Sequence, residues 1–240
     1  MGQRKSGRAP AAATSTAAAH ARFAAVVLDV DSTLVGIEGV DWLATRKGAT
    51  AADEVAALTE CAMAGTIPLD AVYGRRMAIV RPTRGDLEAL ATAYQAALAP
   101  GAREAVAALL AAGVRVVLVS GGLRQAIAPL AAALGIGDDA LRAVGVTLAP
   151  DGSFTSFERT SPLVTHRGKL DVVRALGLPR PILGVGDGST DIAMRPAVDA
   201  FAAFTGFIAR PSVVKKADHR LASFADLITL VLGAPPAPDA

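Results

Sequence analysis

An α/β fold, with a Rossmann-like three-layer core around a parallel sheet and an inserted helical cap, is what three features of this 240-residue sequence predict. Short apolar runs rich in β-branched residues alternate with Ala- and Leu-rich stretches of helical spacing. Three of those runs end on polar clusters. A long helical segment with no strand of its own interrupts the alternation after the first run.

The first strand is expected at Ala25 to Leu28, and it is followed at once by Asp29-Val30-Asp31-Ser32-Thr33. The segment 38–97 comes next and reads as helical, with Trp42, Leu43, Val55, Leu58, Met63, Met77 and Leu87 as its apolar positions. An insertion at that place suits a lid over the sheet edge. A helix over Gly101 to Ala112 leads to a second strand at Val114 to Val119, which ends on Ser120-Gly121-Gly122. Helical spacing returns over Leu123 to Leu134 and over Lys169 to Leu176. A strand at Ile182 to Val185 then ends on Gly186-Asp187-Gly188-Ser189-Thr190-Asp191, and a last one is expected at Val198 to Phe201. The domain plan that follows is a core from 22–37 and 98–232, a cap at 38–97, a disordered tail at 1–21 and a flexible Pro/Ala tail at 233–240.

Composition narrows the class. Hydrophobic residues make up 52% of the chain, which is globular and not disordered. The net charge of +2 comes from Arg4, Lys5 and Arg8 in the tail; without them 21 basic residues face 22 acidic ones, so the folded part offers no general attraction to nucleic acid. A single cysteine, Cys61, excludes an internal disulfide, and His20, His166 and His219 lack the spacing of a zinc site. With neither a secretion signal nor an apolar run of membrane-spanning length, a cytoplasmic protein with no membrane partner is expected.

Asp29 and Asp31, one residue apart after a buried run, suit either a plain turn or a paired-carboxylate site. The three polar clusters decide between these, because the carboxyl ends of strands in an open parallel sheet meet on one edge. Carboxylates from two strand ends can hold a hard divalent cation such as Mg²⁺. A hydroxyl (Ser120), glycine-exposed backbone amides and a lysine can neutralise phosphate oxygens. Of the basic residues in "HRGKLDVVRAL", Lys169 has apolar residues three, four and seven places on (Val172, Val173, Leu176), as at the opening of a helix, whereas Arg167 has no such register. The set describes a phosphoryl-transfer site. A dinucleotide-binding module is the opposing reading, since "GVGDGS" approaches G-x-G-x-x-G; the last glycine is Ser189, however, and the first strand lacks the motif.

"DVDST", "SGG", a later lysine and "GDGSTD", in that order, resemble the four motifs of the haloacid dehalogenase-like phosphatases, and within them the phosphoserine phosphatase branch. The resemblance runs from about Ala24 to Leu232 and extends to "EGVDWLA", "AMAGTIPLDAVYGRRMAIVRP" and "DAFAAFTGFIAR". It implies an aspartyl-phosphate mechanism with Asp29 as nucleophile and Asp31 as general acid and base. It implies Mg²⁺ on Asp29, the Asp31 main-chain carbonyl and Asp187, with Asp191 in support. Ser120, Gly121, Lys169 and Thr190 would bind phosphate; position 190 is Thr where many relatives carry Asn. Glu38 would face the substrate ammonium, Arg76 its carboxylate, and Met63 and Leu69 would pack on the ligand. The implied substrate is O-phospho-L-serine, with another small phosphomonoester such as phosphohomoserine as the alternative, acted on by a monomer or homodimer.

Overall fold

The computed structural model describes residues 21–63, 66–67 and 69–233, without the side chains of 63, 69 and 70. The expected tails therefore lie outside the described residues, except for positions 21 and 233 at their inner ends.

Six parallel strands form one sheet in the order β3-β2-β1-β6-β7-β8: β1 (Ala25–Leu28), β2 (Arg115–Leu123), β3 (Leu141–Val144), β6 (Ile182–Gly186), β7 (Ala200–Phe204) and β8 (His219–Leu221). β1 is central, with Val26 opposite both Val116 and Leu183, and all four of its residues are buried. This is why β1, β6 and β7 read as unbroken apolar runs: helices cover both faces of a parallel sheet, so neither set of side chains meets water. The chain steps outward from β1 to β2 and β3, then returns to β6 on the other side of β1. The carboxyl ends of β1 and β6 thus flank the topological switch point, where open α/β sheets bind ligands.

The segment after β1 is helical throughout its described residues: α1 (Gly39–Thr45), α2 (Ala49–Met63), α3 (Leu69–Val80) and α4 (Arg84–Ala96). α1 packs on the other three, and Leu43, Val55, Leu58, Met77 and Leu87 are buried as their spacing requires, with Trp42 half-buried. Thr83 caps α4 in a reciprocal box with Asp86, whose carboxylate also receives Lys47 at 2.7 Å and ties α4 to the end of α1. α5 (Ala102–Ala111) belongs to the core and packs on β2 and on α10 (Phe224–Leu232). α6 (Arg124–Ala133) covers β2 and β3 and carries α4 on its outer side. α7 (Gly168–Ala175), α8 (Ser189–Ile192) and α9 (Pro211–Val214) complete the helices.

Several boundaries differ from expectation. Ser120-Gly121-Gly122 lies within β2 and not beyond it; the pairing register with β3 breaks between Val119 and Leu123, so these residues extend the strand without a regular ladder. β7 begins at Ala200 and not Val198, because a 3₁₀ turn over Arg195–Ala197 precedes it and the Asp199 carboxylate takes the Ile182 N–H at 2.6 Å. β3, β8 and the antiparallel hairpin of β4 (Val146–Leu148) and β5 (Phe154–Phe157) add strands that the apolar runs did not mark. No helix among the described residues is long and apolar enough to cross a membrane.

Candidate active site

A cleft at the carboxyl ends of β1, β2 and β6 is lined by Asp29, Asp31, Ser120, Gly121, Lys169, Asp187 and Thr190 from the core, and by Glu38, Val40, Tyr73 and Arg76 from the helical insertion. Every expected site residue with a described side chain is in this list, apart from Asp191 just behind it. Met63 and Leu69 are the last residue of α2 and the first of α3, and their side chains lie outside the described residues.

Asp29 follows β1 directly, and its N–H still bonds the Val185 carbonyl at 3.0 Å as though the strand continued. Val30 is fully buried, so Asp29 and Asp31, on the opposite side, both reach the cleft. Ser32 then turns the chain with φ +53°, in the left-handed region, and its hydroxyl donates to Glu38 at 2.7 Å. Lys169, two residues into α7, sits at 2.5 Å from Asp29 Oδ1 and also bonds Asp191 Oδ1. Arg167 is exposed, whereas Lys169 is buried and lines the cleft. The second oxygen of Asp191 takes the Gly188 N–H at 2.8 Å, so this carboxylate holds both Lys169 and the loop after β6. The Ser120 hydroxyl accepts from the Gly122 N–H at 2.9 Å, which leaves its own O–H to donate to a ligand.

Burial and crowding of like charges perturb the acids here. Burial, then the nearby Asp191, drive the Asp29 carboxyl well above its ordinary range despite Lys169. Burial and then Asp191 push Asp187 up to about 7, against the opposing pull of Arg210. Glu38 reaches about 8, through burial first and the charges of Asp31 and Asp187 next. Burial alone would lower Lys169, but Asp191 and Asp29 more than offset it and hold the ammonium above the usual lysine range. The lysine is a fixed cation.

Asp29, Asp187 and Asp191 place carboxylate oxygens within 4.8 Å of one another, all buried. That is a hard-oxygen donor set with excess negative charge, and it fits a divalent cation of the Mg²⁺ type. Arg210, which sequence reasoning passed over although "GFIAR" had been noted, joins Asp187 at 3.2 Å to Glu60 of α2 at 3.2 Å. Tyr73 of α3 was missed too; its hydroxyl donates to the Gly121 carbonyl at 2.9 Å. Arg76 is 5% exposed and has one protein partner among the described residues, Asp41 at 3.4 Å. Its Nε is the only buried side-chain nitrogen or oxygen without a partner among the described residues. A buried orphan N–H on a guanidinium is costly unless something binds it.

Comparison with known proteins agrees with this geometry. The family model for haloacid dehalogenase-like hydrolases matches residues 26–196. The chain is 34% identical to the phosphoserine phosphatase of Bos taurus over 207 residues, which is 85% of this chain and 91% of the relative. It is 36% identical to the phosphoserine phosphatase SerB2 of Mycobacterium tuberculosis over 217 residues, or 87% of this chain and 50% of that one. Among solved structures, a phosphoserine phosphohydrolase-like protein from Francisella tularensis superimposes with a TM-score of 0.78 at 25% identity, covering 86% of this chain and 98% of the other. A phospho-aspartyl intermediate analogue of phosphoserine phosphatase does so with a TM-score of 0.69 at 25% identity, covering 85% and 95%.

Proposed function

This chain belongs to the haloacid dehalogenase-like hydrolases, and from that premise we propose that it is a Mg²⁺-dependent phosphoserine phosphatase, hydrolysing O-phospho-L-serine to serine and phosphate. Asp29, in the cleft and next to Lys169, attacks phosphorus; the bond from phosphorus to the ester oxygen breaks with its electron pair going to that oxygen. Asp31 delivers the proton that makes this oxygen a serine hydroxyl. In the second half Asp31 takes a proton from water, the water oxygen attacks phosphorus, and the bond to Asp29 breaks to release phosphate. Ser120, the Gly121 amide, Lys169 and Thr190 hold the phosphoryl oxygens. Asp29, the Asp31 main-chain carbonyl and Asp187 would hold Mg²⁺, which would supply screening between the phosphate dianion and the attacking carboxylate.

The observation that carries the substrate assignment is Arg76. A buried guanidinium that lines the same cleft as Glu38 gives an anion site and an acid site beside the phosphate cradle. An α-amino acid presents the complementary carboxylate and ammonium, and a planar guanidinium suits the carboxylate. Met63 and Leu69, the last residue of α2 and the first of α3, are assigned to packing on the substrate from the family resemblance alone. The lone free Cys61 fits a cytoplasmic, reducing setting.

The test is phosphate release from O-phospho-L-serine, phosphohomoserine, phosphoethanolamine and an aryl phosphate, each with Mg²⁺ and with EDTA. Phosphoserine should exceed phosphoethanolamine, which lacks the carboxylate, by about tenfold or more in kcat/KM, the scale of one hydrogen bond to a charged group. Equal rates on the two would overturn the substrate, a preference for phosphohomoserine would transfer the assignment to it, and no Mg²⁺-dependent release would overturn the enzyme.

A further inference from the structure

Asp31 is held from behind by a residue that neither the motifs nor the charge pattern marks. Tyr94, near the end of α4 and completely buried, donates its hydroxyl to Asp31 Oδ1 at 2.8 Å. The Gly39 N–H, at the start of α1, reaches the same oxygen at 2.9 Å. The three groups are packed to the point that a Cβ at residue 39 would sit 2.0 Å from the Tyr94 oxygen, so only glycine lets the hydroxyl reach the carboxylate. Asp31 Oδ2 has no described hydrogen-bond partner. Since Arg76 Nε alone is both sealed and unpartnered, this oxygen is open to the cleft. A Cβ at residue 122 would lie 2.9 Å from it, so Gly122 leaves that space free.

We propose that Tyr94 is a positioning residue for phosphoryl transfer: together with the Gly39 amide it occupies Oδ1 of Asp31, so that the proton passed to the departing alcohol travels on Oδ2. Two donors converging on one oxygen fix the carboxyl torsion, and a proton on Oδ1 would displace a donor while one on Oδ2 displaces none. The carboxylic acid therefore presents its O–H to the cleft. The balance of the step is unchanged: the ester oxygen receives the electron pair of its bond to phosphorus and the Oδ2 proton, and Asp31 is left as a carboxylate held by Tyr94 and Gly39.

This rests on the phosphatase reading above, and the assay separates the two. Tyr94→Phe keeps the ring in the core and removes one oxygen. kcat/KM, which ends at phosphoryl transfer to Asp29, is to be measured with Mg²⁺ for an alkyl phosphate (O-phosphoserine, or phosphoethanolamine if O-phosphoserine is not a substrate) and for p-nitrophenyl phosphate, whose nitrophenolate departs without a proton. The variant should lose about tenfold on the alkyl ester, the low end for a hydrogen bond to a charged group, with a much smaller loss on the aryl ester. Asp31→Asn should show the same alkyl bias, larger. Equal losses on both esters, or no loss on either, in a variant whose melting curve shows it folded would overturn the role of Tyr94. If Tyr94→Phe fails to fold, Tyr94→Trp and Gly39→Ala displace the same hydroxyl, and absence of the alkyl bias in whichever of them folds overturns it equally. A wild-type chain inert on both esters would instead overturn the phosphatase reading.

Discussion

Replacing Glu38 by Gln should make the metal-free protein more stable at alkaline pH while impairing phosphoserine binding. The Glu38 carboxyl, ordinarily near 4.5, titrates at about 8 in the folded chain. Between those two values the unfolded chain has released its proton and the folded chain has kept it, so the unfolded state binds fewer protons and stability falls as pH rises; above about 8 the loss is complete. A shift of that size corresponds to about 5 kcal/mol at 1.36 kcal/mol per pH unit. Glu38 is only half-buried, so water in the cleft screens its charge and brings the expected effect to about 2–3 kcal/mol. Gln keeps the acceptor for the Ser32 hydroxyl and carries no charge at any pH. Urea unfolding in EDTA from pH 5 to pH 9 should therefore give variant and wild-type curves that nearly coincide at pH 5 and separate, variant more stable, by pH 9. KM for phosphoserine should rise in the same variant, with KM for an aryl phosphate little changed. A stability difference that does not grow with pH would refute the reasoning.

Asp29→Asn should lower turnover by at least about 10⁴-fold on every phosphomonoester, as loss of a nucleophile does, with an unchanged far-UV spectrum; residual turnover within tenfold of wild type would remove Asp29 from that role. Mg²⁺ should raise stability by about 2.7 kcal/mol at a hundredfold excess over its Kd, and EDTA should reverse both this and activity. Calorimetric scans with and without metal check it, and a Tm indifferent to Mg²⁺ counts against the acidic cluster as its site. Tyr73→Phe should cost about 1 kcal/mol of stability and raise KM for aryl phosphate and phosphoserine alike, because the lost bond held the Gly121 carbonyl of the phosphate cradle. A KM rise confined to phosphoserine would assign Tyr73 to the leaving-group side instead.

What could be read from sequence was whatever repeats in one dimension. Ala25–Leu28 and Ile182–Gly186 are buried on both faces, so their side chains form continuous apolar strings, and the acids that follow them stand out by contrast. Lys169 was separable from Arg167 by helical register alone. Short elements at the edges were not legible: Leu141–Val144 and His219–Leu221 are three or four residues long and are broken by Arg142, His219 and Arg220, which leaves no apolar run to stand out. Two misses did leave a signal. "VTLAPDGSFTSF" is a pair of alternating segments around a Pro-Asp-Gly turn, which is the hairpin of β4 and β5. "SFADLITLVL" opens with a Ser and an Asp three residues on, the capping box that starts α10. Tyr94, Tyr73 and Arg210 left none, since each acquires its role from a partner 63, 48 or 23 residues away.

Charge shows how the work divides between the two parts of the site. Asp29, Asp31, Asp187 and Asp191 of the core face Lys169 and Arg210, so with all groups ionised the core side carries an excess of two negative charges. The insertion adds Glu38 and Arg76 to the cleft, one charge of each sign. Carboxylate charges within 4.8 Å of one another repel by at least about 3.5 kcal/mol at an effective dielectric constant of 20, and an approaching phosphate dianion adds to that. Burial first, and this crowding of like charge second, make the acids keep their protons, so that Asp187 titrates near 7 and Glu38 near 8. A divalent cation relieves the excess by displacing those protons, and so binds more tightly as pH rises. Because that excess resides on the core side and does not involve the leaving group, metal dependence should be the same for an aryl phosphate as for phosphoserine. Discrimination between the two should depend on Glu38 and Arg76, whose opposite charges match an amino acid's ammonium and carboxylate and cancel each other toward everything else.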